Sequence, residues 1–136
     1  MEKEFVSYEI ALALKELGFD EPCFGVYSEK VFKWTRHLKG WEDSELENVT
    51  NTRYADEKSV VAPLYQQAFN WFRLEYKLDF FVVKDSLSLE YFFDICWCNK
   101  KGILKDFQSE EFKTHEEAEI EGLKKLIKKV KNKKTK

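Results

Sequence analysis

Three cysteines and two histidines are the side chains of this sequence best suited to bind a metal ion or to act as nucleophiles. Cys96 and Cys98 are one residue apart, so on a strand they point to the same face. Together with Cys23, His37 and His115 they supply enough ligands for one zinc ion. Zinc-binding cysteines are typically about two to four residues apart on a turn, however, and buried free cysteines are common as small hydrophobic residues. We therefore expect no metal site and no cofactor.

The candidates for acid–base chemistry are the same two histidines and Asp94. Imidazole titrates near neutral pH, but neither histidine has a neighbour in the sequence that would let it activate a nucleophile. Asp94 interrupts an otherwise apolar segment. If its face of the strand were buried, it would need a cation such as Arg73, whereas on an open face it is solvated. We expect Asp94 to be solvated on an open face.

Motifs that mark common enzyme classes are missing from the sequence. It has no glycine-rich phosphate loop, no G-x-S-x-G elbow, no H-E-x-x-H helix and no dinucleotide-binding fingerprint. Its five glycines are scattered along the chain. A catalytic site would have to be assembled from residues far apart in sequence, so the sequence favours a non-catalytic protein and assigns no catalytic residue.

The charge of the chain is divided unevenly. Residues 1–123 carry 15 Lys or Arg against 25 Asp or Glu, whereas residues 124–136 carry eight Lys and no acid. A basic segment of this kind can contact nucleic acid or another anionic surface. The alternative is a solubilising end whose lysines complement the helix dipole. The candidate anion-contacting residues are Lys124, Lys128, Lys131, Lys133 and Lys134.

Three helices position these side chains. Ser7 is the predicted N-cap of the first. The second is predicted over 62–77, with Pro63 in its first turn. Thr114 and Glu117 form a capping box that begins the third, which is expected to fray from about residue 131.

Two hairpins supply most of the strands. The first pairs residues 23–28 with 31–35 through a turn at 28–30, and the second pairs 78–84 with 87–98 through Asp85-Ser86. Alternate residues of the long return strand are expected to face the helices: Leu87, Leu89, Tyr91, Phe93, Ile95 and Trp97. The opposite face, which carries Phe92 and Asp94, is predicted to be partly uncovered. A short strand around 103–107 is also predicted.

The order of elements, α-ββ-α-ββ-(β)-α, predicts an α+β fold. We expect an antiparallel sheet of about four to five strands with three helices packed on it. Residues 1–131 are predicted to form one domain and residues 132–136 a frayed, lysine-rich end. In the third helix, Ala118 and Gly122 lie beside the core stripe, where small residues let another element approach closely.

Three segments resemble a set of short proteins found in gut Bacteroidetes and in their phages and mobile elements. The matching segments are ALALKELGFDEPCF at 11–24, APLYQQAFNWFRLEY at 62–76 and FKTHEEAEIEGLKKLIKKV at 112–130. The resemblance implies a bacterial, phage-related origin. No activity is established for those proteins, so it implies no catalytic or binding residue.

The leading interpretation is a non-catalytic binding module with a protein partner or a second copy of itself. Its expected surface combines large side chains that no core element accounts for with the strand carboxylate: Trp34, Trp41, Tyr54, Phe92 and Asp94. The alternatives are nucleic-acid contact through the basic end, and a small-ligand or enzyme site near the irregular segment 36–58. No membrane span and no signal peptide are recognisable, so a bacterial cytoplasmic location is expected.

Overall fold

The computed structural model describes residues 2–34, 50–52 and 59–134. Predictions for His37, Trp41, Tyr54 and most of segment 36–58 lie outside the described residues. The chain divides into two compact units, Met1–Gln67 and Ala68–Lys136. The α+β class and the three helices are confirmed. The six strands form two three-stranded antiparallel sheets rather than one sheet of four to five strands.

The first unit contains one helix and one sheet. Its elements are a short 3-10 helix Glu2–Glu4, α1 Tyr8–Glu16, β1 Gly25–Ser28, β2 Val31–Trp34 and β3 Ser59–Ala62, with strand order β2-β1-β3. Ser7 caps α1 as predicted, because its hydroxyl accepts a hydrogen bond from the N–H of Ile10 at 3.4 Å. The β1–β2 hairpin turns at Glu29 and Lys30, both of which have positive φ angles. Two consecutive residues of this kind match the twist of a tight hairpin.

Strand β3 was not predicted from the sequence. All four of its residues are buried, so it lacks the polar alternation that marks a half-exposed strand. Its presence corrects the start of the second helix: Pro63 follows β3 and its carbonyl accepts a hydrogen bond from the N–H of Val6 at 3.0 Å. Helix α2 begins at Tyr65, two residues after this proline.

Helix α2 spans Tyr65–Tyr76, and the boundary between the units falls within it. The second unit continues with β4 Asp79–Lys84, β5 Tyr91–Cys98, β6 Leu104–Gln108 and α3 His115–Lys134, with strand order β4-β5-β6. Thr114 caps α3, since the N–H of Glu117 donates to its hydroxyl at 3.1 Å. Helix α3 continues to Lys134, past the residue where fraying is predicted.

The turn between β4 and β5 is longer than predicted. Asp85 holds it, because its carboxylate accepts hydrogen bonds from the N–H groups of Leu87 and Ser88 at 2.7 and 3.3 Å. Leu87 and Leu89 therefore lie in this turn and are exposed, not on the helix-facing side of a strand. The helix-facing assignment is correct from Tyr91 onward: Phe93 and Ile95 are buried, and Tyr91 and Trp97 are half-buried.

Aromatic stacking joins the helices of the second unit to its sheet. The Phe80 ring lies nearly parallel to that of Phe69 on α2, with 4.1 Å between the two ring centroids. Its centroid is 5.6 Å from that of the Phe93 ring on β5. Gly122 of α3 contacts the same Phe80 ring so closely that a Cβ atom would overlap it. The predicted close approach at Ala118 and Gly122 is thus explained by an aromatic ring from β4.

Candidate functional site

Strand β6 is an edge strand, and all five of its residues are exposed. Helix α3 packs more closely on β4 and β5 than on β6. This uneven packing leaves two adjoining clefts, of about 420 and 240 Å³, which share Phe107, Lys125 and Lys128. We call the two together the α3–β6 groove.

Aromatic rings form the sheet side of the groove. Phe107 faces it from β6, with its ring centroid 6.1 Å from that of Phe93 on β5. The ring centroid of Phe112 is also 6.1 Å from that of Phe93, and these two rings are nearly parallel. Phe112 is held there by paired backbone hydrogen bonds with Tyr91, of 2.8 and 2.6 Å. Trp97, two residues beyond Ile95 on β5, lines the smaller cleft.

Lysines form the helix side of the groove. Four of them line the clefts: Lys124, Lys125, Lys128 and Lys129. Residues three and four apart on a helix are neighbours, so this spacing gathers the four ammonium groups along one side of α3. They lie more than one turn before the end of the helix at Lys134, whereas the helix dipole favours cations mainly within the last turn. Complementing the dipole therefore does not account for them.

Two of these lysines lie directly over aromatic rings. The Lys125 ammonium is 4.4 Å from the centre of the Phe107 ring, and the Lys129 ammonium is 3.5 Å from a ring centre of Trp97. A cation over a ring face is stabilised by the ring quadrupole. The contacts hold positive charge against an aromatic surface at the mouth of the groove, where half-buried Trp97 and 37%-exposed Phe107 still reach solvent.

The groove has more cations than its own carboxylates neutralise. Glu121 pairs with Lys124 at 3.3 Å, and Glu110 lines the same larger cleft. Among the described residues, no carboxylate lies within ion-pair distance of Lys125, Lys128 or Lys129. None of the described residues lining the smaller cleft is acidic.

The surroundings of Lys129 disfavour its positive charge. Burial lowers its pKa from the ordinary value, and the nearby charges of Lys133 and Lys125 lower it further. Like charges crowded around a partly desolvated cation cost folding free energy unless an anion compensates them. Such an arrangement is typical of a surface that meets an anionic ligand.

The predicted anion-contacting residues divide into two groups. Lys124 and Lys128 line the α3–β6 groove, whereas Lys131 and Lys133 are exposed positions further along α3. Lys134 closes the helix, and its side chain is outside the described part. Sequence reasoning missed the groove residues Lys125, Lys129, Trp97 and Phe107. The four-residue spacing of the two lysines is a signal in the sequence, but the rings come from separate strands.

As predicted, the opposite face of the β4–β6 sheet is only partly covered within the described residues. Cross-strand partners share a face, so the register groups on this side Phe81, Val83, Phe92, Asp94, Cys96, Leu104 and Asp106. We call these residues the open sheet face. Phe81 is 52% exposed and Leu104 67% exposed, while Phe92 and Asp94 are half-buried.

The cysteines do not form a metal cluster. Cys96 and Cys98 both lie on the outward face of β5, and burial together with the charges of Asp94, Asp106 and Asp79 raises the pKa of the Cys96 thiol. Cys23 is buried in the first unit, which raises the pKa of its thiol. Within residues 2–34, 50–52 and 59–134, no three His, Cys, Asp or Glu side chains gather at metal-binding distance.

Trp34 and His115 are not among the residues that line the groove. Trp34 is half-buried on β2 of the first unit, with its ring edge-on to Phe5 at 5.2 Å. His115 begins α3, where its Nδ1 is 3.4 Å from the carboxylate of Glu119 and its ring contacts Tyr91 edge-on. These contacts place both rings in structural packing. Trp41, Tyr54 and His37 lie outside the described residues.

Comparison with known proteins gave no match among protein-family models, curated proteins or solved structures. The resemblance to short proteins of gut Bacteroidetes and their phages stays a prediction. Across the described part of the chain, no helix has the length and apolar character needed to cross a membrane. The function is therefore argued from the geometry of the second unit.

Proposed function

We propose that this chain is a cytoplasmic, non-catalytic binding module whose α3–β6 groove takes a polyanionic ligand. The observation that carries the proposal is the row formed by Lys125, Lys128 and Lys129, which lack carboxylate partners among the described residues. Negative charge from a ligand would relieve their mutual repulsion and release counterions from the ligand itself.

The distribution of charge between the two units also supports a polyanionic ligand. Residues 68–136 carry 15 Lys or Arg against 12 Asp or Glu, whereas residues 1–67 carry 8 against 13. The acidic character of the chain therefore belongs mainly to the first unit. A polyanion in the groove meets a unit of net positive charge.

Charge substitution tests this proposal better than truncation does. Removing the chain after Leu123 would also delete Leu126, Ile127 and Val130, which are buried. We propose instead the variant K125Q/K129Q, because glutamine keeps nearly the helix propensity of lysine. The matched control is K77Q/K84Q, which removes two exposed lysines at the β4 side of the sheet.

The measurement is the affinity of each variant for a fluorescent heparin oligosaccharide at low salt. We expect measurable binding of heparin by the wild type, a clear loss in K125Q/K129Q and little change in the control. Equal losses in the two variants would mean that only net charge matters. No binding by the wild type would refute the proposal.

A second candidate function is contact with a protein partner through the open sheet face. The observation in its favour is the exposure of Phe81 and Leu104 beside Asp94 and Asp106. Exposed apolar side chains on a sheet face are available to contact a partner. A two-fold dimer through this face would bring the aspartates of both copies together, so a partner with basic residues fits better than a second copy.

Light scattering coupled to size-exclusion chromatography distinguishes a different protein partner from a second copy of this chain. A monomer at high concentration is expected if the partner is a different protein. A dimer that F81S/L104S returns to a monomer would instead favour self-association through this face. A dimer unaffected by those substitutions would remove the open sheet face from consideration.

A further inference from the structure

The α3–β6 groove combines two chemistries that one class of ligand also combines. We propose that its polyanion is a single-stranded nucleic acid, with an unpaired base stacked on Phe107 and phosphates bound by Lys125, Lys128 and Lys129. This inference rests on the proposed function, since it names the ligand of the same groove. It adds a role for the rings, which polyanion binding alone does not require.

The ring of Phe107 lines both clefts of the groove, and the end of the Lys125 side chain lies over one of its faces. The Lys125 ammonium is 4.4 Å from the ring centre. A base arriving on that face displaces the ammonium, which then lies beside the phosphate of the incoming strand. The lysine exchanges a cation–π contact for a phosphate contact, and the ring exchanges a cation for a stacked base.

The carboxylates of the larger cleft argue against a uniformly charged polymer. Glu110 and Glu121 line it together with Lys124 and Lys128. A ligand that is anionic along its whole length would meet repulsion there. A nucleic acid alternates phosphates with neutral bases, and carboxylates accept hydrogen bonds from base amino groups such as that of cytosine.

The dimensions of the groove favour a single strand over a duplex. The larger cleft, at about 420 Å³, is the size of a small-molecule pocket, which is roughly 300–1,000 Å³. It can take a base that has turned out of its stack. The bases of a duplex remain stacked and paired, so they cannot reach the Phe107 ring.

The test compares oligomers that differ in their bases, in their sugar or in being single- or double-stranded. Fluorescence anisotropy measures the binding of a labelled oligothymidylate, the corresponding oligouridylate, an abasic deoxyribose-phosphate oligomer of equal length, and a duplex. The protein is the full chain as wild type, F107L and F107Y. The control F81L replaces another exposed phenylalanine on the same sheet, on its opposite face.

Loss of a ring on which a base stacks lowers affinity roughly fivefold to 140-fold per base. We expect F107L to lose affinity for oligothymidylate by an amount in this range, with F107Y and F81L close to the wild type. The abasic oligomer should bind more weakly than oligothymidylate and be insensitive to F107L. If oligouridylate binds as tightly as oligothymidylate, the base stacks on Phe107 whichever sugar carries it. A preference for one of the two oligomers indicates whether the ligand is RNA or DNA.

Several results would overturn the inference. The first is equal affinity for the abasic oligomer and for oligothymidylate. If heparin also binds, that result would mean that the groove binds polyanions in general and does not stack a base. Another is unchanged oligothymidylate affinity in F107L. A third is tighter binding of the duplex than of the single strand. If neither heparin nor any oligomer binds, the proposed function fails together with the inference. Thermal unfolding of F107L, compared with that of F81L, identifies a variant that has lost its fold. In that case the affinities of the wild type for oligothymidylate and for the abasic oligomer supply the comparison.

Discussion

The ammonium group of Lys129 lies 3.5 Å from a ring centre of Trp97, joining helix α3 to strand β5 at the smaller cleft of the groove. The same lysine has a pKa lowered by burial and by the charges of Lys133 and Lys125. The ring is therefore a weak substitute for a counterion. A phosphate would compensate this charge more fully than the indole does.

The pH dependence of binding follows from this lysine. Its pKa is lowered in the free protein, and a bound anion raises it, so binding takes up protons at alkaline pH. Affinity for a polyanion should therefore fall as the pH rises through the lowered pKa of free Lys129. Anisotropy titrations across the alkaline range measure this fall.

The variant K129R is the control for that prediction. Arginine stays charged throughout the range, so the fall in affinity should move to higher pH. An identical pH profile for wild type and K129R would show that Lys129 does not titrate in contact with the ligand.

The contact of Gly122 with Phe80 predicts a destabilising effect of an alanine. In an exposed helix interior, Gly→Ala gains about 1 kcal/mol of helix stability. Here a Cβ would overlap the Phe80 ring, which is fixed between Phe69 and Phe93. Overpacking costs about 1–3 kcal/mol, so we expect G122A to lower the free energy of unfolding in urea.

A double-mutant cycle tests this explanation. F80L removes the ring that G122A would meet, so adding G122A to F80L should cost less than adding it to the wild type. Additive losses would mean that the alanine acts through something other than Phe80.

Asn51 predicts a large loss of stability in the first unit. Its buried amide donates to the carbonyl of Phe19 at 2.8 Å and accepts from the N–H of Val61 at 3.0 Å. N51A leaves both backbone groups without this partner, and each such loss costs about 1–3 kcal/mol. Urea unfolding should show the decrease, whereas the exposed substitution N70A should leave the midpoint nearly unchanged.

Asp85 of the β4–β5 turn and Glu111, which lies between β6 and α3, predict that the stability of the fold depends on pH. Glu111 has its pKa lowered by a hydrogen bond with Ser88, but burial and its contact with Asp85 outweigh this and raise it overall. A raised folded-state pKa means that the favourable contribution is present at acid pH and is lost as the pH rises through that value. At neutral pH both groups are ionised and repel each other.

Glutamine at residue 111 removes this repulsion without changing the shape of the side chain. The melting temperature of E111Q should exceed that of the wild type at pH 7, and the difference should disappear at acid pH, where Glu111 is protonated. A difference that is constant with pH would contradict this account. The variant E110Q, one residue earlier, controls for the change in net charge.

Local signals in the sequence predicted much of the fold. Ser7 and Thr114 both cap helices as expected, because capping depends on residues only three positions away. The prediction that Leu87 and Leu89 lie on β5 was wrong, because their alternation continues the pattern of that strand while Asp85 holds the backbone in a turn. Strand β3 was missed because a fully buried strand has no alternation to detect.

The groove was only half predictable. Lys124 and Lys128 were identified from the charge of the last segment of the chain. The roles of Phe107 and Trp97 depend on the β5–β6 register and on how far α3 covers the sheet. Both follow from tertiary packing, which no local pattern of residues encodes.

The most direct measurement of the central claim is the salt dependence of oligothymidylate binding. Each lysine that neutralises a phosphate of a single strand contributes about 0.7 to the slope of log affinity against log salt concentration. K125Q/K129Q should therefore lower the magnitude of the slope by about 1.4 relative to the wild type, while K77Q/K84Q leaves it unchanged. A slope that is the same in wild type and K125Q/K129Q, or that falls equally in the control, would contradict binding in the α3–β6 groove.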